Sequence, residues 1–179
     1  MLTLKVDDEL TLSDLKIESA QRVFDLVISN RNYLREWLVW VDETRNLDDT
    51  ILYIQTMSDN DIFSERFVFE INYKNAFAGL IDFNHGDHFN RKVEIGYWLA
   101  EEFQGKGIMT RSCRKLIKYA FERENINRVV IRCAEGNKKS QAIPVRLNFK
   151  LEGIEREGQY LYGVFHNTLI YSLLKKEWK

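Results

Sequence analysis

The alternation of apolar and polar positions predicts a strand, a glycine-bearing loop and a helix between Val93 and Phe121. Residues 93–99 carry branched and aromatic side chains that suit a largely buried strand. After a polar break, apolar residues recur at the spacing of one helical face: Cys113, Leu116, Ile117, Ala120 and Phe121. We therefore expect this helix to pack that face on a sheet and to show its basic side to water.

The N-terminal half is predicted to contain helices and an antiparallel strand meander. Apolar positions alternate in the strand segments and recur at helical steps in the others. Strands are expected at residues 2–6, 66–71 and 76–83, and helices at 20–30, 33–41 and 47–57, the last ending in the polar run 58–61. The hairpin and the strand at 93–99 should form the meander.

The C-terminal half is predicted to combine strands with one short helix. Residues 128–134 form a branched strand, which the crossover helix places parallel to residues 93–99. A helix is expected at 140–148 and strands at 151–157, 160–164 and 169–174, with a turn at Gly158 and Gln159. The pattern predicts an α/β (α+β) fold with a mixed, mostly antiparallel central sheet flanked by helices, in one domain over residues 1–179.

Composition argues against several classes of function. The 179 residues carry a formal net charge of −1 with both signs interspersed, so dedicated nucleic-acid binding is not expected. No apolar segment approaches the length that spans a bilayer, and residues 1–10 lack the basic and then apolar pattern of a secretory signal. We expect a cytoplasmic protein that does not associate with membranes.

The cysteines and histidines do not indicate a metal site. Cys113 and Cys133 fall on a buried helix face and at a strand end, so they are expected to be small core residues. His85 and His88 lie in a glycine-bearing turn without a third or fourth ligand nearby.

The loop Gln104–Gly107 has the chemistry of an anion site. Glycines at a strand-to-helix junction let backbone N–H groups converge where the helix dipole favours negative charge. Glycines needed only for a tight turn would give the same pattern, so both interpretations stay open from the loop alone. A P-loop nucleotide phosphatase is not supported, because Gly107 follows Lys106 where that motif needs Ser or Thr.

This loop resembles that of the GCN5-related N-acetyltransferases (GNAT). In that family Gln or Arg, two residues, Gly, any residue and Gly or Ala form a loop whose amides hold the pyrophosphate of coenzyme A. Met109 stands here at the Gly or Ala position, where its Cβ can point away while its N–H faces the phosphate. The resemblance implies acetyl-coenzyme A as co-substrate, held by Gln104, Gly105, Lys106, Gly107, Ile108, Met109 and Thr110.

Further motifs resemble the ribosomal-protein N-terminal acetyltransferases within that family. They are the segments 34–40, 94–99 and 137–140 and the run Asn148, Phe149, Glu152 and Gly153, with Asn148 where Gly is common. The resemblance implies one N-acetyltransferase domain with a sheet of about seven strands, splayed between the fourth and fifth. The pantetheine arm would enter that gap beside the backbone of Tyr97, Trp98 and Leu99.

The resemblance also implies catalytic roles. Glu94 is the expected general base, and Ser140 replaces, as the acid, a Tyr that many relatives have on the short helix. Two alternatives stay open: a solvated Glu94 paired with Arg91 or Lys92, and Ser140 as a helix N-cap only. Further expected roles are Tyr160 and Tyr162 as substitute acids, Asn137 as a ligand of the pantetheine amides, and Lys106 and Arg111 near the phosphates.

The acceptor amine is expected on the side of the site opposite the coenzyme. There it would lie against Trp37, Trp40 and Phe83. One Trp can lie in the core and the other at a cleft, or both can simply pack. An open groove fits a protein N-terminus, whereas a polyamine needs carboxylates such as Asp42, Glu43, Asp48 and Asp49. A small-molecule amine acetyltransferase, a non-catalytic coenzyme A-binding module and a homo-oligomer paired through the C-terminal edge strand stay open.

Overall fold

Eight strands form one open sheet in the computed structural model, which describes residues 2–57, 62–63 and 66–179. They are β1 (Thr3–Lys5), β2 (Leu10–Asp14), β3 (Arg66–Tyr73), β4 (Ala76–Asp87), β5 (Lys92–Leu99), β6 (Arg128–Ala134), β7 (Lys150–Leu161) and β8 (Val164–Leu174). Their order is β1-β2-β3-β4-β5-β6-β8-β7. β5 and β6 run parallel and their neighbours antiparallel, which confirms a mixed, mostly antiparallel sheet.

Helices cover both faces of this sheet. They are α1 (Ala20–Ser29), α2 (Arg31–Leu34), α3 (Leu47–Thr56), α4 (Ile108–Glu122) and α5 (Lys138–Arg146). The face of α4 that the spacing predicted is buried, with Cys113, Leu116 and Ile117 inaccessible to solvent. On the opposite face α1 contributes Val23 and Val27 to a second apolar cluster. Burial of these two stripes of side chains holds the helices on the sheet.

The sheet divides where its two parallel strands separate. β5 and β6 pair only at Lys92 with Arg128, Val93 with Val129 and Glu94 with Val130. β5 continues to Leu99 alongside β4, whereas β6 continues to Ala134 alongside β8. A gap therefore opens in the middle of the sheet, as the sequence resemblance implied.

The structure corrects the number of strands. Leu10–Asp14 is a strand of its own, because it pairs with β1 on one side and with β3 on the other. The gap therefore lies between the fifth and sixth strands of the described chain rather than between the fourth and fifth.

The C-terminal hairpin also differs from the prediction. Tyr162 and Gly163 both have positive φ, 48° and 87°, and form the two-residue turn between Leu161 and Val164. This backbone twist matches that of a strand pair, so β7 and β8 pair directly on either side of the turn. The predicted turn at Gly158 and Gln159 is wrong, and a register irregularity between Glu155 and Gln159 occupies that position.

Asparagine side chains cap two of the helices. Asn46 caps α3 through its side chain, and Asn137 caps α5, which begins at Lys138 rather than Ser140. Ser19 makes no cap bond and instead donates to the buried carboxylate of Glu70. Asn148 has φ 60°, the left-handed conformation suited to the residue after a helix. The polar run predicted at 58–61 lies outside the described residues.

Across the described ranges, no helix combines the length and the apolar character needed to cross a membrane.

Candidate active site

A cleft of about 730 Å³ opens where β5, the start of α4 and α5 meet. Its walls come from four segments: Tyr97, Trp98 and Leu99 of β5; Phe103 to Gly105 and Gly107 to Arg111; Asn137, Lys139, Ser140, Ala142, Ile143 and Arg146 around α5; and Tyr33, Leu34, Trp37 and Leu38. The cleft thus brings together most of the residues that the sequence assigned to coenzyme A.

The glycine loop lies at the end of the cleft where α4 begins. Gly105 and Gly107 have φ of 72° and 68°, and a Cβ at either position would meet nothing within 4 Å. The glycines are therefore needed for backbone conformation and not to relieve crowding. Gly107 directly precedes α4, whose free N–H groups and dipole favour a negatively charged ligand.

The loop side chains are already engaged with the protein. Gln104 donates to the Tyr33 hydroxyl, and Lys106 turns back to the carbonyl oxygen of Glu102 at 2.8 Å. Lys106 does not line the cleft, in contrast to its neighbours Gly105 and Gly107. Arg111 lines the cleft and lies 2.6 Å from the carboxylate of Asp7.

Met109 fits the loop despite its departure from the family pattern. It lines the cleft but is only 7% exposed, and it belongs to the core that α4 buries. Its backbone stays in the first turn of α4, where the N–H groups are not used by the helix.

Glu94 occupies the inner end of the gap between the strands. It is the last β5 residue that pairs with β6, and it lies opposite Asn84 on β4. Burial raises the pKa of this carboxyl from its usual 4.5 to about 7; Arg132 and Arg66 oppose the shift and Asp82 adds to it. Glu94 lies outside the cleft lining, on the strand face that also carries Trp98.

A buried polar group supports Glu94. Asp82 accepts a hydrogen bond from Asn84 at 2.7 Å and lies 3.3 Å from the Arg66 guanidinium. Burial raises the pKa of Asp82, and Arg66 opposes that shift. A Cβ on Gly96 would come within 2.6 Å of the Asp82 carboxylate, so only glycine fits between Asp82 and β5.

Lys92 and Ser140 both contact other groups than the alternative roles of Glu94 and Ser140 require. Lys92, one of the two expected partners of a solvated Glu94 beside Arg91, lies 3.5 Å from Asp87. The cap of α5 is Asn137, whose side-chain oxygen accepts from the Ser140 N–H at 3.0 Å. The Ser140 hydroxyl is therefore not used as an N-cap and instead donates to the Tyr97 phenol oxygen at 3.2 Å.

The sequence assigned Tyr97 a backbone role only, and its side chain was missed. The strand alternation that places Val93 and Ile95 in the core also directs Tyr97 toward α5, and this pattern could have revealed it. Asp82, Asn84 and Arg66 were missed as well. Polar residues at alternate positions of an otherwise apolar strand were the available signal for Asp82 and Asn84.

Of the three expected acceptor residues, Trp37 alone lines the cleft. Its ring lies edge-on to His166, 6.2 Å between centroids. Trp40 instead packs on Trp98 at 6.1 Å in the second apolar cluster. Phe83 is 0% exposed and sits in the core beside Tyr119, so its assignment to the acceptor site is corrected.

The substitute acids lie away from the cleft. Tyr160 and Tyr162 are 58% and 48% exposed on the C-terminal hairpin, and neither lines the cleft. Within the described residues, no group of three or more His, Cys, Asp or Glu side chains is arranged to hold a metal ion.

Residues 9–150 match the family model described as an acetyltransferase (GNAT) domain. The chain is similar to the putative ribosomal N-acetyltransferase YdaF of Bacillus subtilis, at 41% identity over 182 residues covering 100% of this chain and 98% of that protein. It is also similar to the ribosomal-protein-serine acetyltransferase of Escherichia coli, at 28% identity over 95% of each chain.

Solved structures give the same result. The ribosomal L7/L12 alpha-N-protein acetyltransferase RimL, in complex with coenzyme A, superposes with a TM-score of 0.93 at 29% identity, over 98% of this chain and 99% of that one. The microcin C7 self-immunity acetyltransferase MccE, in complex with acetyl-coenzyme A and AMP, superposes with a TM-score of 0.90 at 37% identity, over 95% and 94%.

Proposed function

Because the chain belongs to the GNAT acetyltransferase family, whose acyl donor is acetyl-coenzyme A, we propose that it acetylates the N-terminal α-amine of a protein, with ribosomal proteins as the substrate class. The relatives described as ribosomal N-acetyltransferases support this choice. The observation that carries the proposal is Glu94, a half-buried carboxyl at the inner end of the strand gap with a pKa of about 7. Residues 1–179 would act as one N-acetyltransferase domain.

The cleft fits the acyl donor in charge and shape. Gly105 and Gly107 leave open space in front of the α4 N-terminus, where phosphates are favoured. Unpaired backbone of Trp98 and Leu99 faces the gap that β6 has left, which suits an extended amide-bearing arm. Acetyl-coenzyme A supplies an activated acyl carbon and a thiol leaving group.

Glu94 would remove a proton from the amine. An amine attacks carbonyl carbon only in its neutral form, and a base is most effective when its pKa lies near the working pH. Burial gives Glu94 such a pKa, and the strand pairing on both of its sides fixes its position. Ser140, on the other side of the gap, would turn its hydroxyl toward the departing sulfur.

The acceptor side fits a peptide better than a polyamine. Asp42 lies 2.7 Å from Arg35, and Asp49 accepts from the backbone N–H groups of Arg45 and Asn46. These carboxylates are therefore engaged and do not form a free cluster for a polycation. Trp37 offers a half-exposed aromatic surface at the cleft, on which an N-terminal residue can pack.

A small-molecule amine is the second candidate, because the similar MccE structure contains AMP together with acetyl-coenzyme A. A thiol-release assay with the purified chain separates the two. It compares ribosomal-protein N-terminal peptides, the same peptides with blocked α-amines, spermidine and aminoacyl nucleotides. We expect turnover with free peptide amines, loss of turnover on blocking, and strongly reduced turnover with Glu94→Gln. Turnover confined to small amines would support the second candidate, and none with any acceptor would support a coenzyme A-binding module.

A further inference from the structure

Tyr97 and Ser140 are joined by two hydrogen bonds, although 43 residues separate them in the chain. The Ser140 hydroxyl donates to the phenol oxygen at 3.2 Å, and the phenol donates to the Ser140 carbonyl oxygen at 3.1 Å. Both residues line the cleft. The Tyr97 hydroxyl therefore has two acceptors on Ser140 within reach, the carbonyl oxygen and Oγ, and rotation about one C–O bond exchanges them.

The surroundings hold these two hydroxyls in place. Asn137 fixes the backbone of Ser140 by capping α5 at 3.0 Å, and the ring of Tyr97 packs against the main core. Burial raises the pKa of the Cys133 thiol to about 11, so this thiol stays neutral. Burial likewise raises the pKa of Tyr97, which keeps the phenol protonated as a donor.

Acidity limits what the two hydroxyls can do for a departing thiolate. An ordinary thiol has a pKa near 8.5, lower than that of a phenol or of an aliphatic hydroxyl. Complete proton transfer from Ser140 or Tyr97 to sulfur therefore runs uphill. Donation of a hydrogen bond to sulfur runs downhill, because bonds to charged acceptors are the stronger ones.

Resting on the proposed function, we propose that Tyr97 is a positioning residue that turns Ser140 into a hydrogen-bond donor for the coenzyme A thiolate. As Ser140 turns its O–H to the sulfur, Tyr97 turns its O–H from the Ser140 carbonyl oxygen to Oγ. The transfer forms the N–C bond and breaks the C–S bond, whose electron pair stays on sulfur. The amine proton goes to Glu94, and both hydroxyls keep their protons.

The pKa of the bound coenzyme A thiol tests this role without any acceptor. Coenzyme A is titrated on the purified protein, and thiolate is followed by its ultraviolet absorbance. Because hydrogen bonds to charged groups are comparatively strong, we expect Ser140→Ala to raise the thiol pKa by about one unit and Tyr97→Phe by about half a unit. The double variant should equal Ser140→Ala, because Tyr97 acts through Ser140.

The matched control is Tyr171→Phe, which removes a hydroxyl from another buried strand tyrosine, 6% exposed and outside the cleft lining. It should leave the thiol pKa unchanged. An unchanged pKa in Tyr97→Phe, or additive shifts in the double variant, would overturn the proposal. Failure of every peptide in the thiol-release assay would instead overturn the proposed function, whereas the thiol titration would still report on Tyr97.

A conservative replacement covers the case in which Tyr97→Phe does not fold. Incorporation of 3-fluorotyrosine at position 97 keeps the ring and strengthens the phenol as a donor. The bound thiol pKa should then fall below that of the unmodified protein. A rise or no change would contradict the proposed chain of donors.

Discussion

Glu94 and Val130 form the last pair that β5 and β6 share, and beyond them the two strands separate. The carboxyl is thereby fixed at the inner end of the gap, since pairing to β4 and β6 restrains the backbone on both sides. A group held on paired strands is positioned more precisely than one on a loop.

Replacing Glu94 by Gln should remove the proposed base while keeping the shape of the side chain. We expect kcat to fall about 10²- to 10⁴-fold, the usual contribution of a positioned general base. Coenzyme A affinity, measured by calorimetry, should stay the same because Glu94 lies outside the cleft lining. A variant with unchanged kcat would exclude Glu94 as the base.

The rate should depend on pH through the same carboxyl. Glu94 accepts a proton only when ionised, and its pKa is about 7. Below that pKa, kcat should rise about tenfold per pH unit and should level above it. The profile is measured with a saturating acceptor peptide. A rate that is flat between pH 5.5 and about 7 would contradict this account.

Ionisation of Glu94 should lower the stability of the fold, although it raises the rate. The folded pKa lies above the usual 4.5, so the folded chain holds this proton more tightly and loses stability as pH rises from about 4.5 to 7. Glu94→Gln should therefore stabilise the protein at pH 8 and not at pH 4, with an upper bound of about 3 kcal/mol that solvent access reduces.

Glu152 provides a contrasting control for the stability of Glu94→Gln, with both variants followed by their unfolding midpoint in denaturant. Its hydrogen bond with Arg128 lowers its pKa to about 2, so its ionised form stabilises the fold and this effect is lost as pH falls from about 4.5 to 2. Glu152→Gln should reduce the unfolding midpoint in denaturant at pH 8. If both variants shifted the unfolding midpoint at pH 8 equally and in the same direction, burial would not govern Glu94 and the bond with Arg128 would not govern Glu152.

A side chain in the glycine loop should reduce stability and coenzyme A affinity, although there is space for it. Gly107→Ala forces a left-handed conformation on an L residue, which costs about 1–2 kcal/mol. We expect a loss of stability of that size and a severalfold loss of coenzyme A affinity. Gly153→Ala is the matched control, since a Cβ there also meets nothing but φ is not positive. Equal affinities of the two variants would show that the loop does not bind phosphate.

Trp37 and Phe83 should give opposite results. Trp37→Ala should raise the KM for the acceptor peptide about tenfold, because it removes aromatic surface from the cleft. Phe83→Leu should leave that KM unchanged and lower stability by about 1–2 kcal/mol through imperfect packing in the core. An acceptor KM that responds to Phe83→Leu and not to Trp37→Ala would restore the sequence-based assignment of Phe83.

Local patterns were sufficient to predict most of the helices and strands and the glycine turn before α4. The spacing of apolar residues located α4, and the glycines marked the turn before it. The burial of Phe83 could also have been predicted from the sequence, because strand alternation puts it on the same face as Ile81, in the core. The spacing of Trp37 and Trp40, three positions apart, did not indicate which of the two reaches the cleft.

Contacts between distant segments could not be predicted from local sequence patterns. Tyr97 meets Ser140 only because the separation of β5 from β6 leaves room for α5 beside β5. Arg66 and Asp82 come together through the pairing of β3 with β4, and their charges act on Glu94 from the neighbouring strands. Such effects depend on three-dimensional proximity and burial, which residue identity alone does not specify.

The central claim is that this acetyltransferase modifies protein N-termini. Mass spectrometry of N-terminal peptides, from cells with the gene deleted and from cells complemented with the normal or the Glu94→Gln chain, tests it most directly. We predict that at least one ribosomal-protein N-terminus loses its acetyl group on deletion and regains it only with the normal chain. Identical N-terminal acetylation in all of these cells would contradict the claim.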